Sequence, residues 1–584
     1  MLTRYTLKLA HINDTHSHFE SSRVHFHYQE EKKIYDIYSH SGGYARINYQ
    51  VNKARNQAIA VEQAFLFLHG GDSFQGSLYF NQFKGAANAH LLNLLKPDAM
   101  VIGNHEVDAG SEPIHAFLES IEFPLLAGNM DLSQEDSTKD SALKGHKNLY
   151  EYDHEMEIAK VIMTPLQDKQ LAIFGITLDQ MAQIARPDPD THFINAIETT
   201  RKTVQHLMSR GIHHIIVLSH LGFEQDKVLA QQVEGISLIV GGHTHTLQGN
   251  FEEFGLSCTP YPVNVNNTPI LHAGKHAETI GLADIEFNQS GQVTTLNGHN
   301  YFMLDKSFIV ESAHSVSPSE YHNIRTKLKQ HPGIAWDNAD ELITDIINTQ
   351  YRPTITAMEQ HILGFVPRNL IHTRLPSKAL PHGSEIAPWV CKSIYHEAKD
   401  LLTHVDFALH NAGGVRQSLN KGEVSLAYVV GRMLPFELPL VHYEIQGVHL
   451  FQAIESAINS ATNNSVIGTG TGSFPYTYGL KYCYDGRQAL GKRILSLEVL
   501  AQDGNSWLTV DKQAYYFGVS SAYTVSGKEG YSPLLQAKSQ ENIDGLTIPL
   551  AFIRYMQRDN TSLAQALTPH VNYTSHLTEC SVST

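Results

Sequence analysis

The sequence predicts an α/β protein built from two domains, and three observations predict it. Short apolar runs at 7–12, 65–68, 100–102, 215–218 and 238–240 recur through the first half without polar alternation. Runs of this kind read as strands buried on both faces, the pattern of a largely parallel sheet covered by helices. Helical periodicity fills the gaps between them; in 195–210, Ile197, Val204, Leu207 and Met208 share a face and Gly211 stands where a helix stops. Finally, 584 residues with 42% hydrophobic and 17% charged side chains exceed one ordinary core while keeping the composition of a soluble globular protein.

Taken in order, each strand-like run ends in a turn that carries metal-ligand side chains. The first leads to Asp14-Thr15-His16, the second to Gly70-Gly71-Asp72 and the third to Gly103-Asn104-His105-Glu106. The fourth leads to Ser219-His220 and the fifth to Gly241-Gly242-His243-Thr244-His245. Ligands of open α/β sheets bind beyond the carboxyl ends of the strands, so Asp14, His16, Asp72, Asn104, His220, His243 and His245 are expected at one sheet edge. A catalytic zinc takes about three protein ligands, and Mn²⁺ prefers oxygen donors. The seven side chains oversupply one ion and suit two ions roughly 3.5–4 Å apart, with Asp72 as the bridge. The glycine pairs let the backbone pass close to such a site.

The remaining segments read as follows. Residues 20–42, with His25, His27 and His40, are expected to be a solvated insertion beside the site, with a metal-binding tract as the alternative. Residues 131–160 look like a polar surface excursion. The first domain is placed at 1–310. A linker at 311–356, broken by Pro318 and by His331-Pro332-Gly333, carries a helix over 338–350 and is a candidate hinge. The second domain is placed at 357–565, with helices over 384–402 and 448–461 and strands at 406–410, 478–484, 494–500 and 514–519. A polar tail covers 566–584.

The net charge of −16 argues against a nucleic-acid partner, because phosphate neutralisation needs a basic face. It leaves a small phosphate ester open, since a metal pair supplies local positive charge. No stretch approaches the ~18 apolar residues of a membrane span, so no membrane partner is expected. Cys258, Cys391, Cys483 and Cys580 form no C-x-x-C pair and read as isolated thiols. The first residues show no signal-peptide pattern, so a cytoplasmic location is expected; a leader removed from the chain would instead mean the periplasm or the exterior.

The five turn motifs, in this order, resemble the pattern of the calcineurin-like metallophosphoesterases: D-x-H, G-D, G-N-H-[ED], H and G-H-x-H. Asn411-Ala412-Gly413-Gly414-Val415-Arg416 is similar to the N-G-G-G-I-R motif of the 5′-nucleotidase C-terminal domain. Leu434-Pro435-Phe436 and the segment from Ser521 to Tyr531 resemble two later motifs of that domain. Together they point to the UDP-sugar hydrolase/5′-nucleotidase family, which also contains 2′,3′-cyclic-nucleotide phosphodiesterases.

The resemblance implies a four-layer αββα N-terminal domain and a separate α/β (α+β) substrate-specificity domain. It implies two divalent ions, Zn²⁺, Mn²⁺ or similar, and a small-molecule nucleotide substrate. His105 would act on the phosphoryl group or leaving group, oriented by Asp108. Phe436 and Tyr523 would stack the base. Arg416 and Arg374 would pair with the phosphate or ribose side, Asn411 with the base and Glu529 with the ribose, around the Gly413-Gly414 turn. The chain departs from the family pattern at Ala412, at Tyr523, at Lys528-Glu529 and over 386–390. The reaction implied is hydrolysis of a nucleoside 5′-monophosphate, extended to UDP-sugars and nucleoside di- and triphosphates. A second reading is a 2′,3′-cyclic phosphodiesterase/3′-nucleotidase, kept open by Tyr523. A third is a nucleotide-binding protein that has lost the chemistry.

Overall fold

The computed structural model describes residues 4–558 apart from 109, 337, 463–469, 487 and 490. The expected tail at 566–584 lies outside the described residues. The chain divides into two compact units, Met1–Pro353 and Thr354–Thr584.

The first unit is built on two sheets. One has nine strands, and its centre is the parallel set Tyr5–Ile12, Ala64–His69, Ala99–Val101 and Leu125–Ala127. The other has six, centred on the parallel set Lys169–Thr177, His214–His220, Leu238–Val240 and Thr268–Leu271. Because side chains alternate across a strand, each apolar run feeds two layers. Leu7, Leu9, Leu66, Leu68 and Val101 of the first sheet meet Ile216, Leu218, Leu238 and Val240 of the second in one inner core. The other face of the second sheet, through Ile215, Val217 and Ile239, packs on Val204 and Leu207 of helix Ala196–Ser209 and on Leu229 of helix Phe223–Gln232. Helix Tyr44–Ala60 covers the other side of the first sheet, contacting strands Tyr5–Ile12 and Ala64–His69. The layers are therefore helix, sheet, sheet, helix, as the resemblance implied. The carboxyl ends of three parallel strands from one sheet and two from the other carry all five turn motifs.

Three segments differ from the sequence reading. Residues 20–42 are not a solvated insertion. Strands Ser22–Glu30 and Lys33–Ser41 form a hairpin whose inner face buries Phe26, Tyr28, Tyr35 and Ile37. Its alternation of apolar and polar residues is the period of a half-buried strand. Most of 311–356 is likewise not a linker. Strand Ile309–Glu311 pairs with the hairpin, and helix Pro318–Gln330 buries Ile324 and Leu328 in the same core. The misleading breakers are helix-start chemistry, since Ser317 caps the helix and Pro318 takes its first position. Within 131–160, strands Leu149–Asp153 and Ile158–Ala159 extend the nine-stranded sheet.

The second unit has a five-stranded sheet in the order Pro475–Tyr478, Phe407–Asn411, Tyr515–Ser521, Pro439–Gln446, Ser539–Thr547. Helices Ala387–Leu401, Gly447–Thr462 and Ile548–Arg558 bury Trp389, Ile394, Ile454, Ile458 and Phe552 in the core it shares. Strand Phe407–Asn411 lies inside this sheet, and the Asn-Ala-Gly-Gly turn follows from its end.

Candidate active site

Beyond their last paired residues, the strand ends of the first sheet remain tied together. The Asp14 N–H donates to Gly71 O at 2.9 Å, His16 N–H to Asp72 O at 3.0 Å and Ser17 N–H to Ser73 O at 2.8 Å. Asp14, His16, Asp72, His243 and His245 all have positive φ, as does Gly71. Left-handed backbone at non-glycine residues costs energy and concentrates at functional sites. Two glycines are required by close approach. A Cβ on Gly71 would stand 2.5 Å from His220 Nδ1, and one on Gly103 would fall on the Asp72 carboxylate.

The structure brings all seven expected donors together. His16 Nε2 and His245 Nε2 are 2.9 Å apart, and His245 Nε2 lies 3.7 Å from Asp14 Oδ1. On the other side, His220 Nε2 is 3.1 Å from Asp72 Oδ2 and 3.3 Å from Asn104 Oδ1, which is 2.9 Å from His243 Nδ1. Three groups have donor atoms within 4.8 Å of one another: Asp14 with His16 and His245, Asp72 with His16 and His105, and Asp72 with His220 and His243. Asp72 is thus common to both halves of the cluster. His220 donates its Nδ1–H to Gly70 O at 2.7 Å, which leaves Nε2 facing the cluster.

The electrostatics fit divalent cations. Burial first, then the neighbouring histidines, pushes His243 and His245 down to about 4, so both offer neutral imidazole lone pairs. Burial, together with the Asp72 carboxylate, pushes the Asp14 carboxyl up. Against burial, Asp72 brings His220 up to about 10, so the cluster combines two buried carboxylates with the neutral nitrogens of His243 and His245, the donor chemistry of a mixed N/O metal site.

His105 stands at the rim of this cluster. Its backbone N–H donates to Asp72 Oδ1 at 2.9 Å and its Nδ1–H to Asp108 Oδ2 at 2.6 Å. Burial works against its charge, but Asp72 and Asp108 together bring it up to about 9.

In the second unit, Asn411 Nδ2 donates to Glu529 Oε2 at 3.2 Å and to Gly472 O at 3.3 Å. Glu529 has φ 49°, and burial raises its carboxyl while Asn411, Arg374 and Arg416 pull it down. Arg416 reaches back to Gly413 O at 3.4 Å, and its guanidinium lies 5.8 Å from the centre of the Phe436 ring. A Cβ on Gly414 would collide with the buried His410 ring. Phe436 and Tyr523 are each half-buried.

Comparison with known proteins agrees with both units. The family profile for calcineurin-like phosphoesterases matches residues 7–247, and that for the 5′-nucleotidase C-terminal domain matches residues 374–536. The chain belongs to the 5′-nucleotidase family of calcineurin-like phosphoesterases. It is 29% identical to the NAD 5′-nucleotidase of Haemophilus influenzae over 579 residues, covering 94% of this chain and 90% of that one. It is 26% identical to the 5′-nucleotidase of Bos taurus over 547 residues, covering 91% and 85%. Among solved structures, the 5′-nucleotidase precursor of Thermus thermophilus superposes with a TM-score of 0.66 at 26% identity, covering 95% of this chain and 96% of that chain. Members of such a family are metal-dependent phosphoric ester hydrolases, and so is this chain.

Sequence reasoning gave no role to two residues that shape this family's site here, Asn13 and the Glu106 of the Gly-Asn-His-Glu turn. Glu106 is fully buried, and its carboxylate accepts four backbone N–H groups. Oε2 takes Asp72 at 3.0 Å and Gly103 at 2.8 Å; Oε1 takes Ser73 at 2.7 Å and Phe74 at 2.9 Å. It therefore binds the Asp72 turn to the Asn104 turn. Asn13 plays the same part for Asp14, donating to its Oδ2 at 2.6 Å and to Gly274 O at 2.7 Å while accepting from Ala273 N at 2.7 Å. Glu106 closes the Gly-Asn-His-Glu motif and Asn13 precedes Asp14, which was the one available signal; their long-range partners are invisible in the sequence.

Proposed function

We propose that this enzyme is a nucleotide phosphohydrolase that cleaves nucleoside 5′-monophosphates to nucleoside and phosphate, with two divalent ions held by the seven-donor cluster. The observation that carries the reading is the convergence of Asp14, His16, Asp72, Asn104, His220, His243 and His245 from five strand ends, with Asp72 common to both halves. Asp14, His16 and His245 would hold one ion, Asn104, His220 and His243 the other, and Asp72 both. Bound there, Zn²⁺ or Mn²⁺ would acidify a water and offset charge on the phosphoryl oxygens.

The chain's own groups then divide the work. Asp108 accepts the Nδ1–H of His105 and so fixes the ring and its tautomer, leaving Nε2–H to donate to a phosphoryl oxygen or to the leaving alkoxide. Glu106 and Asn13 keep the donor-bearing turns in place, so little reorganisation accompanies reaction. In the second unit, Phe436 and Tyr523 offer π-faces to the base. Arg416 and Arg374 are suited to a phosphate, because guanidinium pairs with its oxygens in a fork. Asn411 and Glu529, already hydrogen-bonded to each other, would exchange that bond for the base and the ribose hydroxyls.

The test is phosphate release with Mn²⁺ or Zn²⁺ across 5′-, 3′- and 2′,3′-cyclic nucleotides, UDP-glucose and NAD. Fastest turnover of a 5′-monophosphate is expected. A preference for the 2′,3′-cyclic substrate would replace this reading with the phosphodiesterase one, and no turnover of any would leave a binding protein. NAD belongs in the panel because the Haemophilus influenzae relative is named for it.

A further inference from the structure

The hairpin Ser22–Glu30/Lys33–Ser41 presents a second group of metal-ligand side chains outside the seven-donor cluster. His25 and His27 alternate with buried Val24, Phe26 and Tyr28, so both point from the outer face of the strand. The register places Asp36 directly opposite His27 and Tyr38 opposite His25. His25 Nε2 and His27 Nδ1 approach the same atom, Asp36 Oδ1, at 2.8 and 2.7 Å. The two imidazole rings are 4.2 Å apart, and the three donor atoms lie within 4.8 Å of one another.

Three features make this more than an accidental surface contact. The scaffold is rigid: the inner face of the hairpin is core, and strand Ile309–Glu311 closes its outer edge. The His25 ring is held in place by stacking on Tyr38 at 4.4 Å, and Arg23 lies over that same tyrosine ring at 4.7 Å. The charge pattern also asks for a cation. The register sets Glu311 directly opposite Asp36, and both carboxylates are on the outer face. Like charges facing each other across paired strands destabilise a sheet, and a divalent ion reverses the sign of that interaction.

We infer that His25, His27 and Asp36 form a third divalent-metal site, selective for a borderline transition ion such as Zn²⁺. Two imidazoles and one carboxylate with an open fourth position are the usual set for such an ion, whereas Mg²⁺ and Ca²⁺ want oxygens. The side chains are 40%, 57% and 35% exposed, so an ion can enter without any rearrangement of the fold. Its bonds would cross-link the two strands of a hairpin that begins six residues after His16.

Equilibrium titration of the full chain with Zn²⁺ against a chromophoric chelator tests this. Wild type is expected to bind one Zn²⁺ per chain more than His25→Ala/His27→Ala and more than Asp36→Asn. Phosphate release at saturating metal should be the same in all three. Amide hydrogen exchange within 22–41 should slow on adding Zn²⁺ in wild type alone. Equal Zn²⁺ stoichiometry in the three proteins overturns the site. If the double variant misfolds, near-isosteric Asp36→Asn decides. Loss of activity from the Asp72 cluster leaves this count difference untouched, so the two readings fail separately.

Discussion

At the residue scale, Asp72 and His105 lie side by side and are expected to fail differently. Asp72 is the one carboxylate shared by both halves of the donor cluster. Asp72→Asn should abolish activity and lower bound metal from two ions toward one or none, read by metal analysis of the purified protein. Two retained ions and a near-normal rate would remove it as the bridge. His105 donates its backbone N–H to Asp72 and its ring N–H to Asp108, and its ring also lies beside His16 in the cluster. His105→Asn should keep the metals and lower kcat by about 10²–10⁴, the usual scale for losing a proton-transfer or electrostatic group. A lost ion in that variant would make His105 a ligand. The donors themselves were legible in the sequence because each stands at a fixed offset from an apolar run. The roles of Asn13 and Glu106 were not, because they lie in hydrogen bonds to backbone far along the chain.

At the scale of elements, the strand ends matter more than the strands. Five separate turns must hold donor atoms to within tenths of an ångström, and Glu106 ties two of them with four hydrogen bonds. Glu106→Gln replaces one accepting oxygen by a donor that faces N–H groups. Leaving buried backbone donors unpaired costs about 1–3 kcal/mol. The variant should therefore melt lower and bind metal more weakly, with activity partly restored by excess Mn²⁺. Unchanged melting and metal affinity would reduce Glu106 to a spectator. The same scale shows where sequence reading stops. Strands buried on both faces were plain from their apolar runs, and the helix ending at Gly211 was plain from its periodicity. The 22–41 hairpin was hidden behind its outward-facing charge and histidines, although its inward residues alternate. Segment 311–353 was misread because a capped, proline-started helix and a linker share the same breaker residues.

At the scale of the whole molecule, the proposed function separates chemistry from recognition. The metal-donor cluster and His105 belong to the first unit, while Phe436, Tyr523, Asn411, Arg416 and Glu529 belong to the second. On the proposed function, the first unit serves any phosphate monoester. On that reading the second serves the nucleotide, with half-buried aromatic residues, a guanidinium 5.8 Å from one of their rings and a carboxylate paired with an amide. Removing one ring by Phe436→Ala or Tyr523→Ala should weaken nucleotide binding by about 1–3 kcal/mol, the scale of base–aromatic stacking. A simple ester such as p-nitrophenyl phosphate has no base, so its hydrolysis should hardly change. The readout is kcat/KM for both substrates on both variants, because losing stacking that persists into the transition state lowers that ratio for the nucleotide alone. Arg416 complicates Phe436, since its guanidinium would lose a partner there. Phe436→Leu, which keeps apolar bulk but no π-face, therefore separates stacking from packing. Equal losses on both substrates, with lowered melting temperatures, would make the rings part of the second unit's core, and recognition of the base would have to be sought elsewhere in it.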